Sequence, residues 1–145
     1  NHRWFDAQVL TANDQAFRDR IHFLGFVNPE ELTKLTPKAT LVLNLLEYKG
    51  LSYYYSLANK AFDYIHAGVP AIHMDFPEYR SLADRYGAVV LLDELSPTPL
   101  ARLINDLLAN PDRLKQLRTA CKLAAPQLTW EQEEKTLLEY YPALK

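Results

Sequence analysis

The sequence predicts an α/β fold built on parallel strands. Short apolar segments of strand length alternate with helical patterns, the signature of that class. One stretch, Ser56 to Ile72 (SLANKAFDYIHAGVPAI), runs a helix cap, an amphipathic helix, a glycine stop and a buried strand together without a gap. The 145 residues, 48% of them hydrophobic, fit one domain of ordinary size spanning 1–145.

In chain order, the first twenty residues are ambiguous between a strand at Ala7 to Ala12 and a helix at Phe5 to Arg18. Ile21 to Val27 (IHFLGFV) reads as a strand. Asn28-Pro29-Glu30-Glu31 opens a short helix, with Asn at the cap and Pro at the first position. Thr40 to Leu46 (TLVLNLL) reads as a buried strand, followed by a loop rich in tyrosine. Ser56 is expected to cap a helix over Leu57 to Ala67 that Gly68 ends in the left-handed conformation.

Val69 to Met74 is the next strand; Asp75-Phe76-Pro77-Glu78 starts a helix to about Tyr86, and Ala88 to Leu92 is the last strand. Three helices finish the chain. Pro99 to Ala109 carries leucines at helical spacing, Asn110-Pro111 opens the second, and Thr129 with Gln132 forms a capping box for the third. That last helix has an apolar stripe of Trp130, Leu137, Leu138 and Tyr141.

Composition removes several function classes. A net charge of −2 gives no electrostatic footprint for nucleic acid. The longest apolar run, Ala88 to Leu92, is too short to span a bilayer. Cys121 stands alone, so no intrachain disulfide or cysteine metal cluster forms, and it reads as a small core residue. The four glycines build neither a GxGxxG motif nor a P-loop. His73 and Asp75 fall on one side of an ending strand, but without a third ligand they read as structural, and no metal is expected.

Parallel strands joined by helices place a ligand at the strand C-termini, beside the helix starts that follow. That rule selects the loop from Glu47 to Asn59, the segment after Met74 and the turn after Val27. Asn59 and Asp63, four residues apart, share one helix face. The unpaired N–H groups of the helix start attract phosphate, with Lys60 alongside to neutralise charge. Asp63 can accept from two vicinal hydroxyls, and Glu47, at a strand end, from those of a sugar. For each the alternative is an ordinary surface charge. Of Tyr53, Tyr54 and Tyr55, two are expected to pack the loop.

These residues carry a resemblance. The pieces IHFLGFVNPEEL, TLVLNLLE, SLANKAFDYIHAGVPAIHMDFPEY and LTWEQEEKTLLEYY resemble, in order over residues 21 to 141, the C-terminal donor-binding domain of a GT-B glycosyltransferase. The group is the large retaining one often called family 4. The resemblance implies a Rossmann-like parallel sheet flanked by helices, forming the C-terminal half of such an enzyme. It implies that Glu47 touches the donor sugar and Asp63 binds the ribose. Backbone amides of Tyr54, Tyr55, Ser56 and Leu57 would hold the diphosphate, Asn59 and Lys60 would add donor contacts, and Phe26 and Val27 would lie against the nucleobase.

The activity implied is transfer of a sugar from a nucleotide-diphosphate donor to a glycan or lipid-linked acceptor hydroxyl, with retention. No cofactor and no transmembrane segment is implied, and no catalytic residue is assigned. The expected location is the cytoplasm or the inner face of its membrane, which the full-length protein would touch peripherally. The chain departs from the family in three ways: Glu47 and Asp63 lie sixteen positions apart, a wider spacing than usual; the second acid is Asp rather than Glu; and the opening strands with their basic clamp do not precede Asn1. The chain therefore reads as an N-terminally truncated fragment, inactive alone, whose acceptor domain lies elsewhere. A non-catalytic nucleotide- or phosphate-binding α/β module is the alternative; a receiver-like domain lacks its cluster of acids.

Overall fold

The computed structural model describes residues 20–141, so the two readings of the first twenty residues fall outside the described part. The chain divides into two units between Leu32 and Thr33. In the first, Ile21–Val27 is not the expected strand: it has no regular structure and joins no ladder among the described residues. Its apolar alternation finds no partner there, so Leu24 and Phe26 stay exposed. Helix α1 (Pro29–Leu35) begins as read, with Asn28 Oδ1 accepting the Glu31 N–H at 2.8 Å. A single 3-10 turn, Thr36–Lys38, follows it.

The second unit is an α/β fold on a three-stranded parallel sheet in the order β1-β2-β3, a Rossmann-like arrangement. Its strands are β1 (Val42–Asn44), β2 (Ala71–Met74) and β3 (Val89–Leu92). All are shorter than the apolar runs that encode them. Pro70 has no N–H to donate, so the β2 ladder starts at Ala71 rather than Val69, and β1 is cut to match. The register sets Asn44 beside His73, and His73 beside Leu91. Every residue of β2 is buried, as a central parallel strand requires.

Between the strands lie α2 (Leu51–Tyr54), α3 (Asn59–His66) and α4 (Pro77–Tyr86); after them come α5 (Pro97–Leu108), α6 (Pro111–Ala124) and α7 (Trp130–Tyr140). Helix α3 packs on β1 and β2, α4 and α5 on β3, and α6 on α3, α4 and α5. Ala61 and Ile65 of α3, Ile72, Tyr79, Leu82, Leu107 and Cys121 form the core between them. Burying a side chain the size of Ile72 is worth about 2 kcal/mol. Gly87 ends α4 in the left-handed conformation (φ 62°), which an L side chain adopts only under strain.

Two caps differ from expectation. Ser56 does not cap α3. The loop is long enough for a helical turn of its own, α2, and Ser56 closes that turn instead, giving both its N–H and its hydroxyl to the Tyr53 carbonyl (3.3 and 2.8 Å). Helix α3 starts later, at Asn59, with Ala58 in the cap position and no side-chain cap. At α7, Thr129 has the extended backbone of a cap, but its hydroxyl bonds the Glu131 carboxylate and Gln132 accepts from Lys135, so no capping box forms. Asn110 does cap α6, accepting the Arg113 N–H at 3.0 Å. The Trp130, Leu137 and Tyr141 stripe is exposed, and Leu138 is half-buried. Among the described residues no helix is long and apolar enough to cross a membrane.

Candidate functional site

The C-terminal ends of the strands meet two loops, one from β1 to α3 and one from β2 to α4. Tyr54 joins them: its half-buried ring packs on Phe76 with centroids 5.3 Å apart, and Tyr48 and Tyr55 stand edge-on to it at 5.5 and 5.0 Å. Tyr53 and Tyr55 stay exposed, although the Tyr55 ring packs edge-on against Tyr54.

Beneath these loops lies a polar cluster inside an otherwise apolar core. Asn44 Nδ2 is 3.1 Å from His73 Nδ1 and 3.3 Å from the Tyr79 hydroxyl. The His73 and Tyr79 rings stack, 4.6 Å apart and 24° from parallel. The Tyr79 hydroxyl also accepts the Ala58 N–H at 3.2 Å, at the very start of α3. Asn44, His73 and Tyr79 thus come from β1, β2 and α4 and tie the sheet to the head of α3.

The Asn44 amide N–H donates to the Tyr79 hydroxyl and to His73 Nδ1. His73 Nε2 is fully buried with no partner among the described residues. Burial lowers the His73 pKa to about 4, so the ring is neutral near pH 7.

Two residues on, Asp75 gives one oxygen to an ion pair with Arg80, and its other, Oδ1, is buried with no partner among the described residues. The same contact raises the pKa of Arg80, first by the hydrogen bond and then by the charge of Asp75.

The residues singled out from the sequence fall as follows. Asn59, Lys60 and Asp63 are exposed on α3, and among the described residues no side-chain hydrogen bond caps its start. The N–H groups of Tyr54, Tyr55 and Ser56 are engaged inside the loop, bonded to the carbonyls of Gly50, Leu51 and Tyr53. Leu57 packs against the core. Glu47 is exposed and ion-paired with Lys49 at 2.9 Å. Phe26, 92% exposed, and Val27 belong to the first unit and are described there alone. His66 Nε2 bonds the Leu128 carbonyl at 2.9 Å, a tie between α3 and the turn before α7.

Asn44 and Tyr79 were not legible as site residues. The one signal for Asn44 is a polar residue in the middle of the apolar run TLVLNLL, which a buried parallel strand carries only if it is satisfied. Nothing in PEYR marks Tyr79. Among the described residues no group of three or more His, Cys, Asp or Glu is placed to hold a metal. No protein family, curated protein or solved structure matches the chain.

Chemically, among the described residues this end of the sheet offers a helix start without a side-chain cap, an exposed Asp and Lys on that helix, and a tyrosine-lined loop. Such a start carries a partial positive charge and takes anionic oxygen, phosphate above all.

Proposed function

We propose that the chain is part of the nucleotide-sugar site of a glycosyltransferase, with the donor diphosphate over the first turn of α3. The observation that carries this reading is the α3 start: at the C-terminal end of a parallel sheet, with no side-chain cap, exposed Lys60 beside it and Asn59 and Asp63 on its open face. A helix N-terminus left uncapped at the crevice of an α/β sheet is where such folds bind phosphates. The resemblance of TLVLNLLE and SLANKAFDYIHAGVPAI to the GT-B donor domain supplies the rest. In this reading Asp63 takes the ribose hydroxyls and Glu47 the sugar. Because the amides of Tyr54 to Ser56 are spent within the loop, the diphosphate falls to Asn59 and Lys60. Leaving-group charge would be stabilised in part by the helix start.

The test is sugar transfer by the full-length protein from uridine- or guanosine-diphosphate sugars, read as release of the nucleoside diphosphate. Transfer or hydrolysis of any such donor is expected; neither with any donor overturns the enzyme reading. The Glu47–Lys49 ion pair favours a second reading, a nucleotide- or phosphate-binding module without catalysis, since it ties up the carboxylate meant for the sugar. Tight binding of a nucleoside diphosphate with no contribution from an attached sugar would decide for it.

A further inference from the structure

We propose that the chain self-associates as a two-fold dimer in which helix α7 of each copy lies in a groove between α4 and α6 of the other. Helix α7 has 11 residues and buries none of them. A helix that short is marginal in water and holds only where an apolar face is packed. The face is present. Trp130 and Leu137, with Tyr141 at the helix end, fall on one stripe at i, i+7 and i+11, and Glu133 and Glu134 flank it on either side. Trp130 is 66% exposed and Tyr141 59%, so the largest apolar groups of the stripe are left uncovered by their own chain.

The groove runs along α6 over residues 112–127, with the end of α4 as its other wall, and holds about 700 Å³. Its floor is apolar: Ala120 and Ala124, with Leu123, 68% exposed, at the lip. At 1.5 Å per residue the groove is about 20 Å long and α7 about 16 Å, so the helix fits lengthwise. Charge fits as well. Arg85 and Lys115 stand on the two walls and Asp112 offsets one of them, which leaves the rim positive. The Arg85 guanidinium is held there, 5.2 Å from the centre of the Tyr86 ring. Helix α7 carries four glutamates against one lysine, a net −3. Among the described residues Arg85, Lys115, Glu133 and Glu134 enter no ion pair. An acidic helix with an apolar stripe and a basic groove with an apolar floor thus belong to one chain, and this complementarity commits the occupant to a second copy. No residue of α7 lines the groove of its own chain, so the fit is made between copies. Exchange in both directions closes at two chains and uses the contact twice, which brings a short helix nearer the area a stable interface needs.

The experiment is sedimentation of the unmodified chain over a concentration series, at low and high salt. A species of twice 16.7 kDa is expected to grow with concentration and to weaken as salt screens the rim. Trp130→Ser removes the aromatic anchor and is expected to weaken the dimer about tenfold or more. Leu123→Ser acts from the groove side and is the second variant should the first not fold. Both residues are exposed in the single chain, so the unfolding midpoint of the dilute protein should hold. Glu133→Lys with Glu134→Lys in one chain, and Arg85→Glu with Lys115→Glu in another, should each weaken self-association about tenfold. Mixed, the two should pair, because each helix then meets a groove of opposite charge. A monomer at every concentration assigns the stripe to a different partner and overturns the proposal. So does a dimer that survives these substitutions, or charge-reversed chains that do not pair with each other.

Discussion

The two ends of the sheet use their polar groups in opposite ways. At the ends where strands begin, α6 closes the chain's own carbonyls. Arg118 reaches those of Ala39, Thr40 and Gly68, and the buried Cys121 thiol lies 3.3 Å from the carbonyl of Ala88 and 3.8 Å from that of Val69. Burial raises the Cys121 pKa, which keeps it an unreactive thiol. At the ends where strands finish, His73 Nε2 and Asp75 Oδ1 are buried with no partner among the described residues, and α3 has no side-chain cap. One end satisfies its polar groups within the chain; the other holds groups without a partner among the described residues, where the proposed ligand would bind. Substitutions at the two ends should therefore separate, with stability moving at one and binding at the other.

The largest expected difference concerns His73. Its folded pKa, about 4, lies below the ordinary 6.5, so between those values the unfolded chain binds more protons than the folded one. Stability from this group is complete above pH 6.5 and is lost as pH falls toward 4, by roughly 3 kcal/mol. His73→Phe keeps the ring stack, lacks the proton site, and should be about as stable as the unmodified chain at pH 7. Urea unfolding from pH 7 to pH 4 should show the variant losing less stability by about that amount. Parallel pH profiles would mean that His73 is not buried as described.

Next in size is Arg118→Leu at the opposite end. Removing a charged donor from three carbonyls should cost about 2–3 kcal/mol, with the half-exposed side chain holding the figure down. Pyrophosphate affinity of the folded variant should not change. A binding loss as large as the stability loss would erase the division between the ends.

Asp63→Ala should do the reverse. Uridine diphosphate should bind about 1–3 kcal/mol more weakly while pyrophosphate binds as before, and the unfolding midpoint should scarcely move because Asp63 is exposed. Calorimetry with both ligands checks this. Equal losses for the two would take Asp63 away from the ribose and put it near the phosphates.

Much of the fold was legible because its signals are local. Asn28 and Asn110 are caps, Gly68 is a left-handed stop, and the runs AIHM and VVLL are strands, each readable within a few residues. What was not legible depends on residues far apart. IHFLGF looks like a strand but joins no ladder among the described residues. Asn44, His73 and Tyr79 span 35 residues and become a cluster only through the β1–β2 register and the first turns of α4. Thr129 is lost as a cap to a neighbour the pattern ignores, the Glu131 carboxylate, whose pKa falls through its backbone hydrogen bond and then through that hydroxyl.

Ser56 gives the smallest effect and the finest test. As the cap of α3 it would be worth about 1 kcal/mol, the usual loss on replacement by Ala. Here its hydroxyl bonds the Tyr53 carbonyl at the close of α2, in the partly exposed loop, where water can take its place. Ser56→Ala should therefore cost no more than about 0.5 kcal/mol. It should leave the Asn59 and Lys60 amide signals where they are, because the head of α3 is held by Tyr79 through Ala58 and not by the loop before it. A cost near 1 kcal/mol with shifted Asn59 and Lys60 signals would return Ser56 to the helix start and make the loop, rather than the cluster below it, the part that holds it.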